Sequence, residues 1–158
     1  MSGQPLALDD LGYELRLLLG ADEIVQFMDA QGTFGNLVNY FKDSVYLHAR
    51  NLLNALTNGC ATDIGTIPSA IRSEPYGRLK RSLEVYVMHI KETRNQRGVT
   101  NVRGGKHLNE YVHDLTAEVK RCWNEWIAAT GDQTLAELLQ AAEKSAQDDL
   151  AQLKGHLK

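Results

Sequence analysis

Three polar side chains in one stretch of this sequence have the types and spacing of a binding or reaction site. Asn109, His113 and Thr116 recur at intervals of four and three within HLNEYVHDLTAEVKRCWNEWI, residues 107–127. On a helix that spacing stacks them along one side. An imidazole so placed can transfer protons near neutral pH, while an amide and a hydroxyl can orient a ligand. The stretch itself reads as helix, because Leu108, Val112, Leu115, Val119, Trp123 and Trp126 also recur at three and four. The polar set lies beside this apolar stripe, at the margin of a core that takes two tryptophans. An ordinary core helix would carry the same pattern.

Other candidates are weaker. Residues 96–106, QRGVTNVRGGK, interleave Arg97, Arg103 and Lys106 with three glycines. A glycine-rich basic loop entering a helix can cradle an anion or nucleic acid on its amides, and a flexible basic turn looks the same. It matches neither GxxxxGK[ST] nor GxGxxG. His48 falls on an apolar stripe and reads as a core histidine with a hydrogen-bonded ring. Tyr46, Arg50 and Asn54 form a row on another face of the same helix, either solvated or meeting a second subunit. His107 and His113 are six apart, on different helix faces, and would not share a metal. His89 and Glu92 have the spacing of a surface pair. Cys60 and Cys122 lack ligand spacing, and Cys122 beside Trp123 reads as a packed thiol. No metal site and no cofactor is expected.

The segment Leu108-Asn109-Glu110-Tyr111-Val112-His113 resembles the RNxxxH signature of HEPN-type proteins, the higher eukaryotes and prokaryotes nucleotide-binding domains. The preceding FKDSVYLHARNLLNAL is similar in character to the aromatic-rich helix before the motif in several HEPN-like families, so the resemblance spans residues 34–127. It implies a four- or five-helix bundle. For active members it implies a metal-independent ribonuclease whose paired Arg/His motifs meet at a dimer interface. On that resemblance Asn109 takes the polar position and His113 that of the proton-transferring histidine. Leu108 stands where the family has arginine, and leucine can neither donate a hydrogen bond nor stabilise phosphorane charge. Arg103 or Arg50 would have to supply that charge.

The elements that must position these residues are helical. The chain has 158 residues, 43% hydrophobic and 23% charged, with three prolines, which suits one helix-rich domain with a single core. Periodic segments at 8–28, 34–56, 78–94, 107–128 and 134–154 predict an all-α, up-and-down, HEPN-like bundle of five or six helices. Residues 1–7 read as a loose leader, and Gly20 as a break in the first helix. Thr33 is the expected cap of the second helix, and Asp132 or Thr134 that of the last. Residues 57–77 and 95–106 read as long loops, the former with a short helical turn near Ser69–Ser73. The Leu/Ala seam from Leu135 to Leu157 and the aromatic Tyr40–Tyr46 region suggest a homodimer.

The net charge of −3 argues against a dominant phosphate-binding surface. No signal peptide or membrane anchor is expected, and a reducing cytoplasm is the default for two unpaired cysteines. The functional expectation is a non-catalytic helical-bundle interaction protein, dimeric, binding a protein, nucleotide or RNA partner. Two alternatives stand beside it. One is a metal-independent ribonuclease using His113 and Asn109 with Arg103 or Arg50. The other is a bundle binding a small molecule or an anion near Arg97, Arg103 and Lys106.

Overall fold

The computed structural model describes residues 4–88 and 111–157. Among them are five helices: α1 (Leu8–Gln31), α2 (Leu37–Leu56), α3 (Glu74–Met88), α4 (Val112–Thr130) and α5 (Gln133–His156). A two-stranded antiparallel hairpin, β1 (Ala61–Thr62) and β2 (Gly65–Thr66), is the only sheet among the described residues. The all-α bundle expected from periodicity is therefore what forms. Helix α1 is central, packed mainly against α5 and α2, and also against α4. Cross-contacts give the directions. Glu14 meets Asn51 and Phe27 meets Phe34, so α2 runs against α1. Gly12 meets Leu138 and Phe27 meets Lys154, so α5 runs with it. No helix among the described residues is long and apolar enough to cross a membrane.

The core explains this order. Leu15, Leu18, Val45, Leu52, Leu53, Leu56, Leu83, Leu115 and Val119 are fully or almost fully buried. Trp123 and Trp126 stack edge-on at 5.3 Å between ring centroids, a favoured aromatic geometry. The Trp123 indole N–H donates to the carbonyl of Leu135 at 2.9 Å, tying α4 to the start of α5.

Several expectations need correction. Helix α1 runs unbroken through Gly20. A glycine inside a helix costs about 1 kcal/mol against alanine. Here close packing against α5 accounts for it: a Cβ on Gly12 would lie 2.9 Å from Leu138 Cδ2, and one on Gly20 would lie 3.3 Å from Asp149 Oδ2. The chain turns at Gly32, whose φ of 68° is left-handed. Helix α2 starts at Leu37, after Asn36, rather than at a Thr33 cap, because Gly35 with φ 57° interrupts the backbone. Tyr46 is fully buried instead of facing outward with Arg50 and Asn54, since α2 packs on α1, α3 and α4 and its apolar face is correspondingly wide.

The 57–77 connection is more ordered than a loop. Leu6 N–H donates to Ala61 O at 2.8 Å, and Asp63 N–H donates to Leu6 O at 3.1 Å. Leu6 of the supposed leader is thus held by the hairpin. The Asp63 carboxylate then accepts the Leu8 N–H at 3.1 Å and caps α1 from a distant part of the chain. Residues 69 and 70 form a turn, not a helical segment. Helix α3 begins at Glu74, four residues before the expected Arg78. Ser73 Oγ accepts the Tyr76 N–H at 3.1 Å, and Pro75 sits in the first turn, where a missing N–H costs nothing. At α5 the cap is Asp132, which accepts the Thr134 N–H at 2.8 Å. Of the Leu/Ala seam, Leu135, Leu139, Ala142 and Ala146 are buried, whereas Leu157 is exposed.

Candidate functional site

Helix α4 presents His113, Thr116 and Lys120 on the side facing α1, one and two turns apart. Opposite them α1 supplies Asp22, Glu23 and Gln26. The open side is closed by Gln140, Glu143, Lys144 and Gln147 of α5. The three helices enclose a cleft of about 440 Å³, lined by Asp22, Glu23, Thr116 and Lys120 with the α5 set. That volume is within the range of small-molecule sites.

Asp22 is part of its α1 wall. The residue is only 4% exposed, while the His113 side chain that pairs with it is 67% exposed. Oδ2 of Asp22 lies 3.1 Å from His113 Nδ1, and Oδ1 lies 3.4 Å from the same nitrogen. Gln26 Nε2 donates to Oδ2 at 3.0 Å and also stands 3.1 Å from His113 Nδ1. One Nδ1 cannot both donate to Asp22 and accept from Gln26. An ionised carboxylate only accepts, so the pairing with Asp22 puts the proton on Nδ1 and directs the Gln26 amide to Asp22. His113 Nε2 is left without a partner among the described residues. Burial pushes the Asp22 carboxyl above its ordinary range. The His113 charge and hydrogen bond, with the Gln26 bond, pull it back only in part, and neighbouring Glu23 pushes it further up.

Thr116 adds a second unmet requirement. It is 3% exposed, and its hydroxyl has no hydrogen-bond partner among the described residues. The other charged residues of the cleft lining have polar or charged neighbours. Lys120 lies 3.9 Å from Glu143, Lys144 lies 3.1 Å from Asp148, and Gln147 Nε2 donates to Glu23 at 3.4 Å.

Of the residues that the HEPN resemblance expects to supply charge or a polar group beside His113, only Arg50 is among the described residues. Asn109, Leu108, Arg97, Arg103 and Lys106 lie outside the described residues, as do His107 and the His89–Glu92 pair. Arg50 donates to Asn51 Oδ1 at 3.1 Å and stands near the Tyr76 phenol, in a separate network. There His48 Nδ1 lies 2.5 Å from Glu14 Oε2, and Asn51 donates to Glu14 Oε1 at 3.4 Å. Glu14 is eight residues before Asp22, about 12 Å along α1 at 1.5 Å per residue. Within one chain, Arg50 therefore does not share a site with His113. His48 is the hydrogen-bonded, largely buried histidine its stripe position suggests. Cys122 is a buried thiol, pushed up to about 11 chiefly by burial and hence not a ready nucleophile. Among the described residues, no three His, Cys, Asp or Glu side chains form a metal-binding group.

Sequence reasoning missed Asp22, although a signal was present. Positions 15, 18, 22 and 25 continue one apolar stripe, and Asp22 is the acid on it. A carboxylate in the register of a buried stripe needs a partner, which here comes from α4.

Comparison of the chain with protein-family profiles, with curated proteins and with solved structures gives no match.

Proposed function

We propose that this protein is a non-catalytic binding module of the helical-bundle class, and that the α1/α4/α5 cleft is its ligand site. The observation that carries this reading is that one cleft is lined both by Asp22, whose ionisation burial opposes, and by Thr116, whose hydroxyl has no partner among the described residues. Buried polar groups are nearly always satisfied, so an unmet one calls for a partner that the described residues do not supply. A thermal-shift screen of small polar metabolites should find compounds that raise the melting temperature of the wild type. Gln147→Trp, an exposed change that fills the mouth of the cleft, should abolish those shifts. Shifts that survive it unchanged would place the ligand elsewhere.

One observation favours a second reading, metal-independent RNA cleavage: the Asp22–His113 pair has the orienting carboxylate and free Nε2 of a general base. The charge-stabilising half is the weaker part, since Arg50 belongs to another network and the His113 ring is mostly in water. Purified wild type should give no EDTA-resistant cleavage of RNA. Cleavage by the wild type that disappears in His113→Ala would establish the nuclease instead.

The module is proposed to act as a HEPN-like homodimer. Tyr13, Leu37, Tyr40 and Leu47 leave apolar surface exposed on α1 and α2. Sedimentation at micromolar concentration should give twice the chain mass, and a clean monomer would exclude this form.

A further inference from the structure

Resting on the reading of the cleft as a ligand site, we infer that its ligand is a small organic cation, a short diamine or an amine of that size, held by Asp22 Oδ1 and the Thr116 hydroxyl. Three features of the cleft lead to this charge and this chemistry.

The first is the use of the Asp22 carboxylate. Oδ2 accepts from both Gln26 and His113, at 3.0 and 3.1 Å, whereas Oδ1 has only the 3.4 Å approach of the same imidazole nitrogen. Oδ1 is a spare acceptor on a buried anion. The counter-charge is also incomplete, because His113 is charged only when protonated and its side chain is 67% exposed. The second is Thr116, a residue of the same cleft lining, whose buried hydroxyl has no partner among the described residues. An ammonium carries three donors and no acceptor, so it needs such a cluster of oxygens. The third is the balance of charge. Lys120 faces Glu143 and Lys144 faces Asp148, so both cations of the lining have acidic neighbours. What remains is Asp22 and, at the rim, Glu23, whose contact is the neutral amide of Gln147. Two carboxylates without a full-time cation suit two ammonium groups. An anion would meet both of them with no unpaired lysine to hold it.

The experiment is a titration at pH 8 of ¹⁵N-labelled full-length protein with 1,4-diaminobutane. Butane-1,4-diol is the neutral probe of the same length, and succinate the anionic one. The diamine should shift the amide signals of Asp22, Thr116 and Ala146 saturably, and the diol and succinate should not. Asp22→Asn should weaken the diamine at least tenfold, with Glu23→Gln and Thr116→Val each weakening it less. The last two are conservative changes that keep the test open should Asp22→Asn fold poorly. Shifts from succinate or the diol without the diamine would overturn the cation and leave the ligand site standing. Silence from all three probes overturns the cation, and the metabolite screen with Gln147→Trp then decides the site itself. Diamine shifts equal in wild type and all three variants would overturn the assignment to Asp22 and Thr116.

Discussion

Trp123→Ala should destabilise the protein by about 3–5 kcal/mol, the usual cost of deleting a large aromatic side chain from a packed core. The indole is fully buried. It fills the contact of α4 with the rest of the bundle and leans edge-on against Trp126, an arrangement that contributes about 0.5–1.5 kcal/mol beyond area burial. Its N–H to Leu135 O is also the bond that fixes where α5 starts relative to α4. Trp123→Phe separates the two contributions, because it retains most of the ring packing and loses the bond, worth about 1 kcal/mol. Urea denaturation of the three proteins should therefore rank wild type, Phe and Ala in that order, with the larger step at alanine. Domains of this size are stable by only about 5–15 kcal/mol, so the alanine variant would lose a large share of its folded margin. A loss below 1 kcal/mol would mean that this contact does not organise the core.

The same helix shows what was legible beforehand. The Leu/Val/Trp stripe of α4 and the seam of α5 are periodic, and periodicity depends on burial alone, which each helix writes into its own residues. The start of α1 was less legible, because its cap is supplied from a distant segment. Asp63 reaches α1 from a hairpin fifty-five positions away, and no local pattern announces it. Gly20 was misread for a related reason. Its local preference is to interrupt a helix, whereas the packing of α1 against α5 carries the helix through it. Of the candidate site, His113 and Thr116 were visible as a polar row beside the stripe, and the structure brings Thr116 and Lys120 to one cleft. Asp22, the partner of His113, was not legible from α4 alone. Pairing between residues 91 positions apart is a property of the packed bundle and not of either segment. Arg50 illustrates the converse. Its type suited phosphate chemistry, but its place on α2 gives it to Asn51, which in turn donates to Glu14.

Asp22→Leu should make the free protein more stable at pH 8, while removing ligand binding, because an incompletely compensated carboxylate is costly to bury. The sign follows from the direction of the Asp22 shift. Burial raises its folded-state value above the ordinary 3.8. A raised carboxyl contributes stability that is fully present below the unfolded value and is lost as pH rises through the folded one. At neutral pH the wild type therefore carries a desolvated carboxylate that the variant lacks. The groups facing it do not offset this in full. His113 and Lys120 on α4 and Lys144 on α5 attract it, while Glu23 on α1 and Glu143 on α5 repel it. His113 loses little when left alone, because two thirds of its side chain is already solvated. The difference in stability between variant and wild type should accordingly grow as pH is raised from 3.8, then level off above the folded-state value. Asp22→Asn, which keeps an acceptor for His113 and Gln26, should follow the same direction with smaller amplitude. Denaturant melts at several pH values read both curves. Parallel curves from pH 4 to 8, or a leucine variant less stable than wild type at pH 8, would show that His113 and Gln26 fully satisfy the carboxylate. The cleft would then have no unmet charge to offer a ligand. A more stable variant that no longer binds is the signature of a group kept for binding at the expense of the fold.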